Sequence, residues 1–184
     1  MNAVIHIEFG AEYLVTMLDH FGTDAFNVWL YKMLERLPLS WEKGCEPPAC
    51  LWFAIESADF SGRHIDGLDL GLFDCEGASF QGAIAVGALF GQCRDADFRR
   101  TDLRDATFLG NISGANFTDA IIDGASFADS YYHADDPPIG LPADLLQGCC
   151  LDHDDEPPDW GKSVTGLVTY PVNITASLAE SSLE

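Results

Sequence analysis

The stretch Ala96–Asp129 reads ADFRRTDLRDATFLGNISGANFTDAIIDGASFAD. Phe98, Leu103, Phe108, Ile112, Phe117, Ile122 and Phe127 return at every fifth position, with one step of four. Two places before most of them stands a small residue: Ala96, Thr101, Ala106, Ala115, Ala120 and Ala125. A period of five suits neither an α-helix, at 3.6, nor a flat strand, at 2. It suits a chain that turns a corner after each unit. The central apolar side chain and the small one before it then point inward, and the other three positions face water. Repetition at a fixed period marks a solenoid.

Working outward, the same beat runs from Glu56 to Asp135. Gly62, Gly67, Gly77, Gly82, Gly87, Gly114 and Gly124 close their units, where a corner needs relaxed backbone sterics. The cleanest units are Ala58-Asp59-Phe60-Ser61-Gly62, Ala78-Ser79-Phe80-Gln81-Gly82, Ala96-Asp97-Phe98-Arg99-Arg100, Thr101-Asp102-Leu103-Arg104-Asp105, Ala115-Asn116-Phe117-Thr118-Asp119 and Ala125-Ser126-Phe127-Ala128-Asp129. They resemble the pentapeptide-repeat family, whose consensus is A-[D/N]-[L/F]-x-x. The resemblance covers about eighty of the 184 residues. It implies a mainly β fold: a right-handed, four-sided β-helix with four pentapeptides per coil, here about four coils.

Written four units to a coil, the central residues are Phe60, Ile65, Leu70, Cys75; then Phe80, Ala85, Phe90, Cys93; then Phe98, Leu103, Phe108, Ile112; then Phe117, Ile122, Phe127, Tyr132. The first side becomes a structural ladder of Phe60, Phe80, Phe98 and Phe117, and the third a ladder of Leu70, Phe90, Phe108 and Phe127. The step shortens from Phe90 to Cys93 and from Phe108 to Ile112, both times at the same corner. Each buried Phe should contribute about 1.5–3 kcal/mol.

Three regions follow. Residues 1–50 do not keep the beat. Apolar residues Tyr13, Leu14, Met17, Leu18 and Phe21 fall on one helical face, and Phe26, Trp29, Leu30, Met33, Leu34 and Leu37 on another before Pro38. This predicts a helical hairpin, read as a cap on the solenoid, with a partner-binding or dimer surface as the alternative. Residues 51–136 form the repeat β-helix. Residues 137–184 are a C-terminal wrap followed by an acidic, Pro-containing and Ser-rich tail, since the beat stops at Asp136-Pro137-Pro138. Met1–Phe9 has no signal-peptide core and no run is long enough for a membrane span, so a cytoplasmic protein without a membrane partner is expected. The oligomeric state is left open.

The net charge is −21, distributed as −4 over residues 1–55, −9 over 56–135 and −8 over 136–184. Phosphate repulsion argues against direct nucleic-acid binding, and the charge favours a basic protein partner. The family resemblance implies a sharper possibility, because pentapeptide-repeat proteins that protect type II topoisomerases such as gyrase are thought to mimic duplex DNA. Asp59, Asp69, Asp74, Asp97 and Asp102 would form the acidic surface, interrupted by Arg94, Arg99, Arg100 and Arg104. The long non-repeat N-terminus, the few coils and the lack of an obvious C-terminal dimerisation helix depart from those proteins. Ile84, Val86 and Ile121 on the second side and Leu89 and Leu109 on the third are apolar yet outward, and coverage by the terminal segments is expected.

Of six cysteines, Cys75 and Cys93 fall on central inward positions and are read as small buried hydrophobes. Cys149, Cys150 and His153 are the metal candidates, joined by Cys45 and Cys50 if the termini meet, but paired CxxC units are missing. No nucleophile motif, phosphate loop or metalloprotease signature occurs. The sequence therefore points to a non-catalytic binding or scaffold protein without a cofactor, using its acidic surface on a protein partner. The alternatives are a DNA-mimicking protector or inhibitor of a gyrase-like enzyme, and a small zinc-dependent enzyme.

Overall fold

The structure, a computed structural model, describes residues 5–8, 10–36 and 51–152. Strand β1 (Ile5–Glu8) precedes helix α1 (Ala11–Arg36). Strands β2 (Leu51–Ala54), β3 (Asp69–Asp74), β4 (Leu89–Gln92) and β5 (Thr107–Phe108) follow. Strand β6 (Tyr131–His133), helix α2 (Ala143–Gly148) and strand β7 (Cys150–Asp152) complete the described chain. One sheet runs β1-β2-β3-β4-β5 and a second pairs β6 with β7, all neighbours parallel.

Between the named strands the chain is a β-helix. Asp59 pairs with Ser79, Ser79 with Asp97 and Asp97 with Asn116, so it returns to the same column after 20, 18 and 19 residues. A second column runs His64, Ile84, Asp102, Ile121. A third runs Asp69, Leu89, Thr107, Ser126. A fourth joins Asp74 to Gln92 and Asn111 to Tyr131, with the Asn111 N–H donating to Gln92 Oε1 across the gap. Backbone bonds tie the turns together, such as Phe80 N to Asp97 O at 2.8 Å and Phe98 N to Asn116 O at 2.8 Å. Bonds of this kind recur from turn to turn and satisfy backbone that the stack buries.

The core is the set of inward side chains. Phe60, Ile65, Leu70, Cys75, Phe80, Ala85, Phe90, Cys93, Phe98, Leu103, Phe108 and Ile112 are fully buried. Phe60, Phe80, Phe98 and Phe117 stack with centroids 4.9, 4.8 and 5.0 Å apart and planes within 5°. Phe90, Phe108 and Phe127 stack at 4.9 and 4.7 Å. The two ladders also meet edge to face, Phe90 against Phe80 and Phe98 at 5.1 Å each. Parallel rings at the interstrand spacing are offset rather than face-centred, and the edge contacts use the opposite pole of the ring quadrupole.

The corners after the first and second sides each hold a residue in the left-handed region. Gly82 (φ 67°) serves after Phe80; Arg100 (φ 60°) and Asp105 (φ 58°) serve where the sequence offers no glycine. The shortened corner has its own demand. Between Leu70–Phe90 and Asp74–Gln92 the β3–β4 register shifts, so four steps of one strand face two of the other. A side chain at Gly91 would lie 2.7 Å from the carbonyl oxygens of Gly71 and Phe73, which leaves no alternative to glycine.

Three features lie outside the beat. Phe73 occupies the small inward position before Cys75, is fully buried, and packs on Phe53 and Phe26 at 5.0 and 6.1 Å. The pairing runs past Asp136: the Ile139 N–H donates to Ala115 O, the Phe117 N–H donates to Ile139 O, and Asn116 pairs with Ile139. The Asp136-Pro137-Pro138 segment lengthens that return to 23 residues instead of ending the stack. Finally, the region before residue 51 contributes a strand, β1, as well as helix.

Helix α1 is two helical halves meeting at Gly22 (φ 76°, ψ 174°). Leu14, Met17 and Leu18 are buried from the first half, Phe26 and Leu30 from the second. Phe21, placed by spacing on the inner face, is 54% exposed because the break at Gly22 interrupts the helical course there. At the other end Leu141 and Leu145, flanking and within α2, pack against the core.

Phe80→Ala should therefore destabilise the protein by about 3–5 kcal/mol, read as a lower urea midpoint. Gly82 has open space around a built Cβ, so Gly82→Ala isolates the backbone cost, about 1–2 kcal/mol for a left-handed position. Equal midpoints for Gly82→Ala and wild type would contradict the corner geometry.

Candidate binding surface

The outward positions of the β-helix form the columns described above, and their side chains lie one turn of the chain apart. Asp59 accepts from the Ser61 N–H at 2.9 Å, and Ser61, foremost through its side chain and then through this N–H, holds the carboxyl below the usual range. Asp74 likewise accepts from the Glu76 N–H at 3.2 Å. These bonds from an aspartate to the N–H two residues on are the local reason for Asp or Asn at this position. Asn111 and Asn116 make the same bond to Ser113 and Thr118.

The arginines do not form the free basic patch that their clustering suggests. Arg99 forks onto Asp97, with Nε–Oδ1 at 2.9 Å and an Nη2–Oδ2 contact of 2.6 Å. Arg104 repeats this on Asp102 at 2.9 and 2.7 Å. Arg94 lies 3.5 Å from Asp95 and 4.0 Å from Asp136. Among the described residues Arg100 makes no ion pair; it sits at a left-handed corner. An Asp-x-Arg spacing along an extended side brings the two groups to the same face, a signal present in Asp97-Phe98-Arg99 and Asp102-Leu103-Arg104. The guanidinium of each pair, foremost through its hydrogen bond, holds Asp97 and Asp102 below the ordinary carboxylate range.

Asp69 is also committed. Its carboxylate takes the Tyr31 hydroxyl at 2.6 Å and the Gly71 N–H at 3.0 Å. Its N–H donates to Asn27 Oδ1 at 3.0 Å, while Asn27 Nδ2 donates to Gly67 O at 2.7 Å. Arg63 joins the first half of α1 through Asp19 at 3.0 Å. Of the five aspartates expected to form one acidic surface, then, two are neutralised by neighbouring arginines and one is bonded to α1. On the fourth side Glu76 lies near Asp74, and burial followed by that like charge raises its carboxyl.

Coverage of the apolar outward residues is incomplete. Ile84, Val86 and Leu89 are half-buried, but Ile121 is 48% exposed and Leu109 39%. The α1 bonds described above reach Arg63, Gly67 and Asp69, in the first return of the chain, far along the stack from Ile121.

Cys75 and Cys93 are buried free thiols in neighbouring returns, and burial, foremost, pushes the Cys75 thiol well up. Cys149 is buried beneath α2, its thiol donating to Leu145 O at 3.4 Å and accepting from Ser130 Oγ at 3.7 Å. Cys150 stands in β7, and His153, Cys45 and Cys50 lie outside the described residues. Among the described residues no three His, Cys, Asp or Glu side chains are grouped to hold a metal. No helix of the described residues is long and apolar enough to cross a membrane.

Residues 74–110 match the family profile for pentapeptide repeats, in eight copies. The chain thus carries the repeats of pentapeptide-repeat proteins over these residues. Such proteins are in general structural or protein-interaction molecules rather than enzymes. Among solved structures it is similar to a pentapeptide-repeat protein from the thylakoid lumen of Arabidopsis thaliana, at 21% identity and a TM-score of 0.23. The similarity covers 47% of this chain and 66% of that one, just under two thirds of its length. No curated protein sequence matches the chain. The expectation of a cytoplasmic protein is withdrawn on this comparison, because a protein of the same repeat type resides in a lumen. The repeat and the composition of Met1–Phe9 do not fix a compartment.

Asp97 and Asp102 give a pH signature. A carboxyl lowered in the folded state stabilises it above the unfolded value and loses that contribution as pH falls through the folded one. Acidification below about pH 4 should therefore cost the wild type more than the Asp97→Asn/Asp102→Asn variant. The difference in urea midpoint between the two should shrink as the pH falls. A difference that stays constant with pH would refute the pairing.

Proposed function

We propose that this protein is a non-catalytic binding scaffold whose acidic solenoid surface engages a protein partner. One observation carries the reading: outward side chains stand in straight columns, such as Asp59, Ser79, Asp97 and Asn116, on a core of stacked rings. Side chains fixed at the interstrand repeat give a partner a rigid surface, with little ordering entropy to lose on binding. The net charge of −21 favours a basic partner, chiefly through the rate of encounter. In this reading the coil is right-handed with about four turns. Residues 1–50 cover its first turn and residues 137–184 wrap its last.

The second reading is a DNA mimic acting on a gyrase-like enzyme, supported by the net charge of −21 and by outward residues that stand in columns, Asp59 and Asp97 among them. Against it stand the forks of Arg99 on Asp97 and Arg104 on Asp102, which offset the charge of those two carboxylates.

Capture on the immobilised full chain tests the first reading: a saturable protein partner should be held at low salt and released at high salt. Absence of any such partner contradicts it. A gyrase supercoiling assay separates the two. The scaffold reading expects no change at micromolar protein, and inhibition or protection from a topoisomerase poison would favour the mimic.

A further inference from the structure

On the first, second and fourth sides ionisable residues recur in most turns, as Asp97, Asp102 and Glu76 illustrate. On the third side they do not. Residues 88–92, 106–110 and 125–128, which form its later rungs, contain no ionisable side chain. Its first rung holds Asp69, whose carboxylate is already bonded to Tyr31 and Gly71. On a chain of net charge −21 this leaves one sheet face, built on β3, β4 and β5, whose later rungs carry no charge. Leu72, Leu89 and Leu109 point outward from it, Leu72 and Leu109 at 37% and 39% exposure. Helix α1 stands at one end, where Tyr31, itself 54% exposed, is bonded to the residue that pairs with Leu89. The exposed aspartates Asp105 and Asp129 occupy the corner positions that follow Leu103 and Phe127, one on each edge of this side.

We propose that this face is the docking surface for a protein segment with an apolar centre and flanking lysine or arginine residues. The inference rests on the scaffold reading above and assigns the side that it uses. An apolar segment settling on the first or second side would strip water from the Asp97–Arg99 or Asp102–Arg104 pair, at a desolvation cost. Settling on the third side buries leucine and threonine and leaves the charges solvated. Interfaces show that division, with charge depleted at the centre and polar groups at the rim. The carboxylates at the edges then draw the basic flanks.

The test titrates the full chain against a fluorescent synthetic peptide with a Leu/Phe centre and lysine flanks. Controls are the same flanks around a serine centre and the same centre with glutamate flanks. The lysine-flanked apolar peptide should bind, and both controls should bind at least about tenfold more weakly. Leu109→Gln, at an exposed site, should weaken the first peptide severalfold, and Leu89→Gln/Leu109→Gln further. Ile121→Gln on the second side should leave its affinity unchanged. Retained affinity in the leucine variants overturns the assignment, whether the face is covered by residues 153–184 or simply unused. Loss through Ile121→Gln overturns this face while leaving the scaffold reading in place. Equal binding of the serine-centred peptide reduces the interaction to charge and overturns the apolar centre. Absence of binding by every peptide overturns the docking surface, and the scaffold reading then stands or falls on the capture experiment.

Discussion

Phe98 lies where the two ring ladders cross. Its faces meet Phe80 at 4.8 Å and Phe117 at 5.0 Å, and Phe90 and Phe108 approach edge-on at 5.1 and 5.3 Å. The rest of the molecule follows from that packing. Rings stacked at the spacing of hydrogen-bonded strands require the chain to return to the same place at each turn. The return fixes which side chains point out. The inward residue two places before each ring must in turn be small, because the corner leaves it little room; Ala78 and Ala96 are fully buried or nearly so. Apolar burial of about 1.5–3 kcal/mol per ring makes these ladders the main source of stability.

The corners impose the second constraint. Those after the first and second sides need a left-handed residue, and glycine supplies it most cheaply. Where Arg100, Asp105 or Asp119 stands instead, the chain accepts a strained backbone, and at Arg100 and Asp105 a charge is displayed next to the outward columns. Asp95 and Asp105 lie against the glycines of the next return, Gly114 and Gly124, where a Cβ would collide with their carboxylates. The alternation of aspartate and glycine along a corner is therefore steric as well as conformational. It also helps to explain why so acidic a chain tolerates its charge: many carboxylates are spent on local bonds such as Asp97 to Arg99.

Period and residue size made the inward set legible in the sequence. The residues placed at the centres of the units from Phe60 to Ile112 are the fully buried ones. Phe73 was not legible, since a bulky ring at a small position breaks the pattern and depends on Phe53 and Phe26 from outside the repeat. The pairing of Ile139 was hidden by two prolines that lengthen its return, and β1 by the lack of any periodic signal in four residues. On the surface, charge could be counted but not its pairing. An Asp and an Arg two apart share a face in an extended segment, so the forks at Asp97 and Asp102 were open to inference from spacing. The bond from Tyr31 to Asp69 was not, because it depends on where α1 lies.

Native-state hydrogen exchange tests the central role of the ladders most directly. Amides that open only on global unfolding exchange last. The amides of Phe80, Phe90, Phe98 and Phe108 should be the slowest in the chain, outlasting those of α1 and β6. Slower exchange in α1 than at these four positions would place the stability centre outside the ladders and contradict their central role.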